Sequence, residues 1–199
     1  VPFGIMLAYD IMNNRISHDH KELERRLKIP FAGMLVKNHR GEHIAVREGE
    51  NSVSAELFRT LRTNIRFMHP IDVTCPVILV TSSINSEGKS YVATNLAISL
   101  SLLNKKVALV GLDIRKPMLA KYLNLPSNGC LTSYLADDAY SVDDLIVKSE
   151  FSNLDILPSG VIPPNPNELL QGERLDQLFA ELRQRYDYVV IDSAPVAMV

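Results

Sequence analysis

The chain has 199 residues, 46% hydrophobic and 22% charged, which suits one globular core with a small appendage and excludes a disordered chain. Its 21 basic and 23 acidic residues leave a formal net charge of -2, which excludes the broad basic footprint of a nucleic-acid binder. Cys75 and Cys130 stand far apart without metal-ligand spacing, an argument against a disulfide framework and for a reducing compartment such as the cytoplasm.

The apolar run Val1 to Tyr9 is short, since crossing a bilayer takes roughly 20 residues. It reads as the tail of a span that began upstream, because Arg15, Lys21, Arg25 and Arg26 follow it as a positive flank. An ordinary amphipathic helix accounts for it equally well from composition. Residues 17–28 are charged and helix-favouring, and His18 and His20, with no further His or Cys at ligand spacing, belong to a solvated helix surface. After the apolar segment 29–36, the polar stretch 37–52 carries Gly41 and Gly49 and reads as a connector. The expected organisation is therefore a juxtamembrane stub over 1–16, a linker over 17–52 and a main domain over 53–199.

In that domain Leu57, Leu61, Ile65 and Met68 form one stripe and predict a helix over 53–68. Strands are expected over 77–81, 107–112, 154–157 and 188–191, with helices over 90–103 and 175–184. Near-continuous Val, Ile and Leu runs alternating with helices predict an α/β fold, a doubly wound and mostly parallel sheet with helices on both faces. Asn165, Pro166 and Glu168 carry a helix-start signal of their own: a capping Asn, a Pro in the first turn and an acid three residues after the cap.

The segment Ser83-Ile84-Asn85-Ser86-Glu87-Gly88-Lys89-Ser90 follows a predicted strand and opens a predicted helix, which is where a phosphate-binding loop must lie. Backbone N–H groups converging there, with the positive end of the helix dipole, hold a polyphosphate without side-chain chemistry. Gly88 permits close backbone approach, Lys89 would reach the β- and γ-phosphates, and the Ser90 hydroxyl would ligate Mg2+. Ser83 stands where the consensus has its first glycine, and Gly-Lys-Ser alone is also an ordinary helix start. A hydrophobic strand ending in Asp192 matches a carboxylate that supports the magnesium shell, although a strand-end Asp is also a common turn former. Asp113, Arg115 and Lys116 lie just past the second strand, and in a parallel sheet all these strand ends can converge on one edge.

Taken together these segments resemble the bacterial tyrosine kinases that act with polysaccharide co-polymerase membrane proteins. Glu56, Arg59 and Arg62 match the family's E-x-x-R-x-x-R oligomerisation motif, and Glu87 to Ser90 its version of the Walker A loop. Asp113-Ile114-Arg115-Lys116-Pro117 is similar to its A prime element, Pro164 to Leu170 to its P-N-P-x-E-L-L turn, and Asp192-Ser193-Ala194-Pro195 to its Walker B end. The resemblance implies a P-loop domain that uses ATP and Mg2+ to phosphorylate tyrosines on neighbouring copies. Lys89, Asp113 and Asp192 would be catalytic, and Ser90, Asp113 and Asp192 would hold the metal. Ser83, Asn85, Ser86, Glu87, Gly88, Lys89, Ser90, Tyr91 and Arg115 would contact the nucleotide. It also implies a homo-oligomer, ring-like, through the Glu56/Arg59/Arg62 helix, a co-polymerase membrane domain in the same chain or a partner, and a cognate phosphatase. The place of action would be the cytoplasmic face of the bacterial inner membrane, with residues 1–16 the end of a transmembrane helix.

The pattern departs from the family at Gly111, where a first acid two positions before Asp113 is usual, and in having no tyrosine cluster up to Val199. The missing carboxylate keeps open a nucleotide-dependent scaffold for polysaccharide chain-length control. It also leads to the expectation that Gly111→Asp raises autophosphorylation. A partitioning or cell-division ATPase is a further alternative, against which the loop lacks the early extra lysine of that group. In the bland reading of the Glu56 helix, Glu56 and Arg59 form a local pair worth ~0.2–0.5 kcal/mol. That reading leaves Arg62 and Arg66 as like charges for a partner surface to relieve.

Overall fold

The computed structural model describes residues 20–37, 41–70, 72–125, 130–164 and 166–196. The stub over 1–16, His18 and the capping Asn165 lie outside the described residues. The chain divides into two compact units, Val1–Gly33 and Met34–Val199. In the first, α1 (His20–Leu27) ends in Arg25 and Arg26, and the Glu24 carboxylate accepts a hydrogen bond from the Phe31 amide. No helix among the described residues is long and apolar enough to cross a membrane.

The second unit begins with α2 (Val53–Met68), whose bounds coincide with the predicted helix because Ser52 caps it, its hydroxyl accepting from the Ala55 amide. Next come β1 (Val77–Val80), α3 (Lys89–Ser101), β2 (Val107–Gly111), α4 (Leu119–Tyr122), α5 (Leu131–Ala136), α6 (Val142–Leu145), β3 (Val147–Lys148) and β4 (Leu154–Leu157). The remaining elements are α7 (Pro166–Leu170), α8 (Glu173–Arg185) and β5 (Tyr188–Asp192). The sheet order is β1-β5-β2-β4-β3, parallel except for the antiparallel β3–β4 edge.

Every residue of β2 and β5 is buried, as expected for central strands covered on both faces. Ala108, Val110, Val189, Ile191 and Leu157 meet Leu131, Leu135, Leu178 and Leu182 of α5 and α8 in one core cluster. On α3 nearly every side chain is buried, and α2 packs against it. Edge strand β1 is the exception, with Leu79 59% exposed.

Arg174 of α8 ties the second layer together. Its guanidinium donates to the Tyr134 carbonyl at 2.7 Å, the Tyr140 carbonyl at 2.8 Å and Asp138 at 2.7 Å, and it lies 4.0 Å from the centre of the Tyr134 ring. Arg174→Ala removes the part-buried bond to the Tyr134 carbonyl and a cation–π contact, while the exposed Asp138 and Tyr140 acceptors regain water, so it is expected to cost about 1–2 kcal/mol in denaturant unfolding. Arg174→Lys should recover little, because an ammonium cannot reproduce the planar three-way fork.

Candidate active site

Because β1, β5 and β2 are neighbours and parallel, their C-terminal ends bring the phosphate loop, Asp192 and Asp113 to one edge. The backbone fixes the register. The Asp192 carbonyl accepts from both Leu112 and Asp113 amides, at 2.8 and 3.1 Å, while the Ser193 amide donates to the Val80 carbonyl at 3.1 Å.

Gly88 caps α3 in the left-handed region, φ 97°, where an L side chain is strained. No side chain caps this helix, so its first N–H groups are oriented for an anionic ligand. Ser86 also has positive φ, 67°. The Glu87 carboxylate accepts from the Ser83 amide at 2.8 Å and the Ile84 amide at 3.1 Å, bracing the start of the loop from within. Glu87 was expected among the nucleotide contacts; here its side chain is bound to the loop itself.

Lys89, Ser90, Asp113 and Asp192 are all buried. Lys89 Nζ lies 3.9 Å from Asp113 Oδ2, and Asp113 Oδ1 accepts from the Lys116 amide at 2.9 Å. Asp192 is pushed up to about 6, chiefly by burial, with the Ser90 hydroxyl and Lys89 pulling down and Asp113 pushing up. Its Oδ1 is buried without a hydrogen-bond partner. An orphaned carboxylate oxygen beside a serine hydroxyl and a second acid fits Mg2+, which takes hard oxygen ligands and keeps several waters.

A cavity of about 80 Å³ is lined by Asn85, Ser86, Gly88, Lys89, Ser90, Asp113, Lys116, Met118 and Tyr122. Most predicted phosphate-site residues meet there. Arg115 is placed elsewhere, its Nη2 donating to Asn167 Oδ1 at 2.7 Å, which ties the A prime loop to the start of α7. Tyr91 packs edge-on to Phe58, 5.7 Å between ring centres, with its hydroxyl pushed up by burial.

On α2 the predicted Glu56–Arg59 ion pair forms, and Arg59 also donates to the Glu50 carbonyl. Arg62 reaches the Ser99 carbonyl of α3 at 2.5 Å. The charge that a partner surface was expected to relieve thus already has an acceptor within the chain.

Gly111 bears on the expectation that Gly111→Asp raises autophosphorylation. A Cβ built there would lie 2.6 Å from Ser159 Oγ and 3.1 Å from the Ser159 amide nitrogen, and Ser159 Oγ donates to the Gly111 carbonyl at 2.8 Å. The space for a first acid is filled by a buried serine, and overpacking of this kind costs about 1–3 kcal/mol. Gly111→Asp is therefore expected to lower thermal stability by that amount and to leave autophosphorylation at or below wild type. Adding Ser159→Ala should recover part of the stability in the same melting experiment.

The uncapped glycine-hinged loop, the buried lysine and the two converging acids define a P-loop nucleotide-binding domain. A family profile described as an AAA domain matches residues 77–199. The tyrosine-protein kinase YwqD of Bacillus subtilis is 36% identical over 171 residues, which cover 83% of this chain and 71% of that protein. The chimerical protein CapA2B2 superposes with a TM-score of 0.81 at 34% identity, covering 91% of this chain and 77% of the other. A more distant likeness, 27% identical with a TM-score of 0.52 over 59% of this chain and 48% of the other, is to the septum site-determining protein MinD of Pyrococcus horikoshii complexed with Mg-ADP. The chain belongs to the bacterial tyrosine kinase family of the capsule and exopolysaccharide type.

Proposed function

We propose that this protein is an ATP-dependent protein-tyrosine autokinase that regulates exopolysaccharide or capsule polymerisation and export. The observation that carries this reading is the buried group formed by Lys89, the first residue of the uncapped helix α3, with Asp113 and Asp192 from the ends of the adjacent parallel strands β2 and β5. The likeness to YwqD, itself described as a tyrosine-protein kinase, supports the choice of reaction.

Phosphoryl transfer needs positioning and charge neutralisation more than covalent chemistry. The amides of the first turn of α3 would bind the phosphates, and Lys89 would neutralise charge on the transferred group. Ser90, Asp113 and Asp192 would hold Mg2+, which when bound polarises the phosphoryl oxygens. Asp113, the carboxylate that lines the cavity, would take the proton of the incoming phenol. Lys116 adds positive charge at the rim, and Arg115 holds the A prime loop through Asn167.

The protein would act at the cytoplasmic face of the inner membrane, joined to a polysaccharide co-polymerase membrane domain in its own chain or a partner, with a cognate phosphatase reversing the mark. A head-to-tail ring through Glu56, Arg59 and Arg62 would bring one copy's tyrosines to another's site. Arg59→Ala with Arg62→Ala is expected to lower the oligomer mass in light scattering; an unchanged mass removes the ring interface from α2. A second reading, a nucleotide-driven scaffold with little transfer, is favoured by Ser159 filling the place of the first acid. Phosphotyrosine blotting of the full-length protein with ATP and Mg2+ separates the two. A signal lost in Lys89→Met supports the kinase, and no signal in wild type leaves the scaffold.

A further inference from the structure

The small phosphate cavity has a larger neighbour. About 500 Å³ in volume, it shares Ser86, Gly88 and Tyr122 with the phosphate cavity and continues between Leu35, Val36, His43 and Val92. Tyr122 therefore stands at the junction of the two. Its ring is stacked on His43, with centroids 4.1 Å apart and planes within 10°.

His43 is held there by design of the backbone around it. Asn95, fully buried on α3 one turn past the phosphate loop, accepts from the Ala45 and Val46 amides at 2.7 and 3.2 Å. Its amide nitrogen donates to the His43 carbonyl at 3.0 Å and the Tyr91 carbonyl at 2.9 Å. Three of the four bonds of this side-chain amide lay the segment before α2 across the P-loop helix, and the fourth returns to that helix at Tyr91. A stretch with the composition of a connector thus forms a wall of the site.

We propose that this second cleft is the acceptor subsite, which receives the aromatic ring of the tyrosine to be phosphorylated; the assignment rests on the kinase reading above. Leu35, Val36 and Val92 give it apolar walls, with Lys37, Glu87 and Tyr91 also on its lining. A flat phenol ring suits such walls, and a third ring can pack in offset or edge-on fashion beside the His43–Tyr122 pair. The shared boundary at Ser86, Gly88 and Tyr122 leads the far end of that ring toward Lys89 and Asp113. There the phenol oxygen forms a bond to the γ-phosphorus, and the bond from that phosphorus to the oxygen bridging the β-phosphate breaks. The bridging oxygen departs with the electron pair as part of ADP, and the phenolic proton passes to Asp113. Tyrosine is selected over serine because a hydroxymethyl group neither fills the cleft nor spans it.

The test uses the full chain and a peptide with a single central tyrosine. His43→Ala is expected to raise the peptide KM about five- to tenfold with KM for ATP unchanged, and His43→Phe to return it to within about twofold of wild type. Val36→Asp, at a position already 47% exposed, should show the same selective loss without harm to folding. Peptide titration without nucleotide, followed through the His43 ring signals by NMR, should shift those signals with the tyrosine peptide and not with its alanine counterpart. A rise in KM for ATP with the peptide KM unchanged assigns the cleft to the nucleoside and overturns the proposal, as does no change in either constant. If wild type phosphorylates no tyrosine, the kinase reading falls, and the nucleotide-free titration still decides whether the cleft takes a tyrosine ring.

Discussion

Lys89→Met is expected to reduce tyrosine autophosphorylation of the full chain by about 100- to 1,000-fold, the usual loss when one preorganised charge-stabilising donor is removed. The structure adds a second consequence. Lys89 is the cation nearest two buried carboxylates, 3.9 Å from Asp113 Oδ2 and one of the groups that pull the Asp192 carboxyl down. Without it both acids share an uncompensated pocket, and breaking a buried charge pair by removing one partner is typically destabilising. The activity loss should therefore come with a lower melting temperature at neutral pH, partly restored at pH 5, where Asp192 takes up a proton. Single-turnover rates and melting curves on the same preparations check both parts. A variant that keeps its rate would remove Lys89 from the chemistry, whatever happens to its stability.

The central part of the fold was legible because buried parallel strands are written as unbroken runs of Val, Ile and Leu. The segment 154–157 is recovered with the predicted bounds, and β1, β2 and β5 within a residue. What could not be read is short: α4, α5, α6 and β3 span four, six, four and two residues, less than the pattern needed to distinguish a period of 3.6 from one of 2. Strand order was not legible either. The placement of β5 between β1 and β2 brings Asp192 between the loop and Asp113, and nothing local in Tyr188 to Asp192 encodes which strands flank it.

The same division holds within the site. Gly88, Lys89, Ser90, Asp113 and Asp192 stand out only jointly, since a Gly-Lys-Ser helix start or a strand-end Asp has ordinary uses when taken alone. Ser159, Asn95 and the Arg62–Ser99 contact are invisible along the chain, since their partners lie 48, 49 to 52 and 37 residues away. Gly111 shows the hazard of reading one position alone. The usual first acid is absent there, and the structure adds that Gly111 is one half of a packed pair whose other half is Ser159.

The pH response of the ligand-free protein should reveal Asp192 directly. Burial raises its carboxyl from 3.8 to about 6. Between these values the folded protein binds a proton that the unfolded chain has released, so this group's contribution to stability declines as pH rises through about 4 to 6 and is level above. At about 1.4 kcal/mol per pH unit the full decline is on the order of 3 kcal/mol. Asp192→Asn removes the group, so the variant should lose this part of the pH dependence in denaturant titrations at pH 4.5 and 7.5 and be the more stable protein at the higher pH. Magnesium demands the opposite protonation state. Affinity for Mg-ADP should therefore fall about tenfold for each pH unit below 6, while ADP in chelator should respond far less, and calorimetry of the two pairs is the measurement. If Asp192→Asn keeps both the wild-type stability slope and tight, magnesium-dependent ADP binding, then the orphaned oxygen at the end of β5 is not a place for the metal.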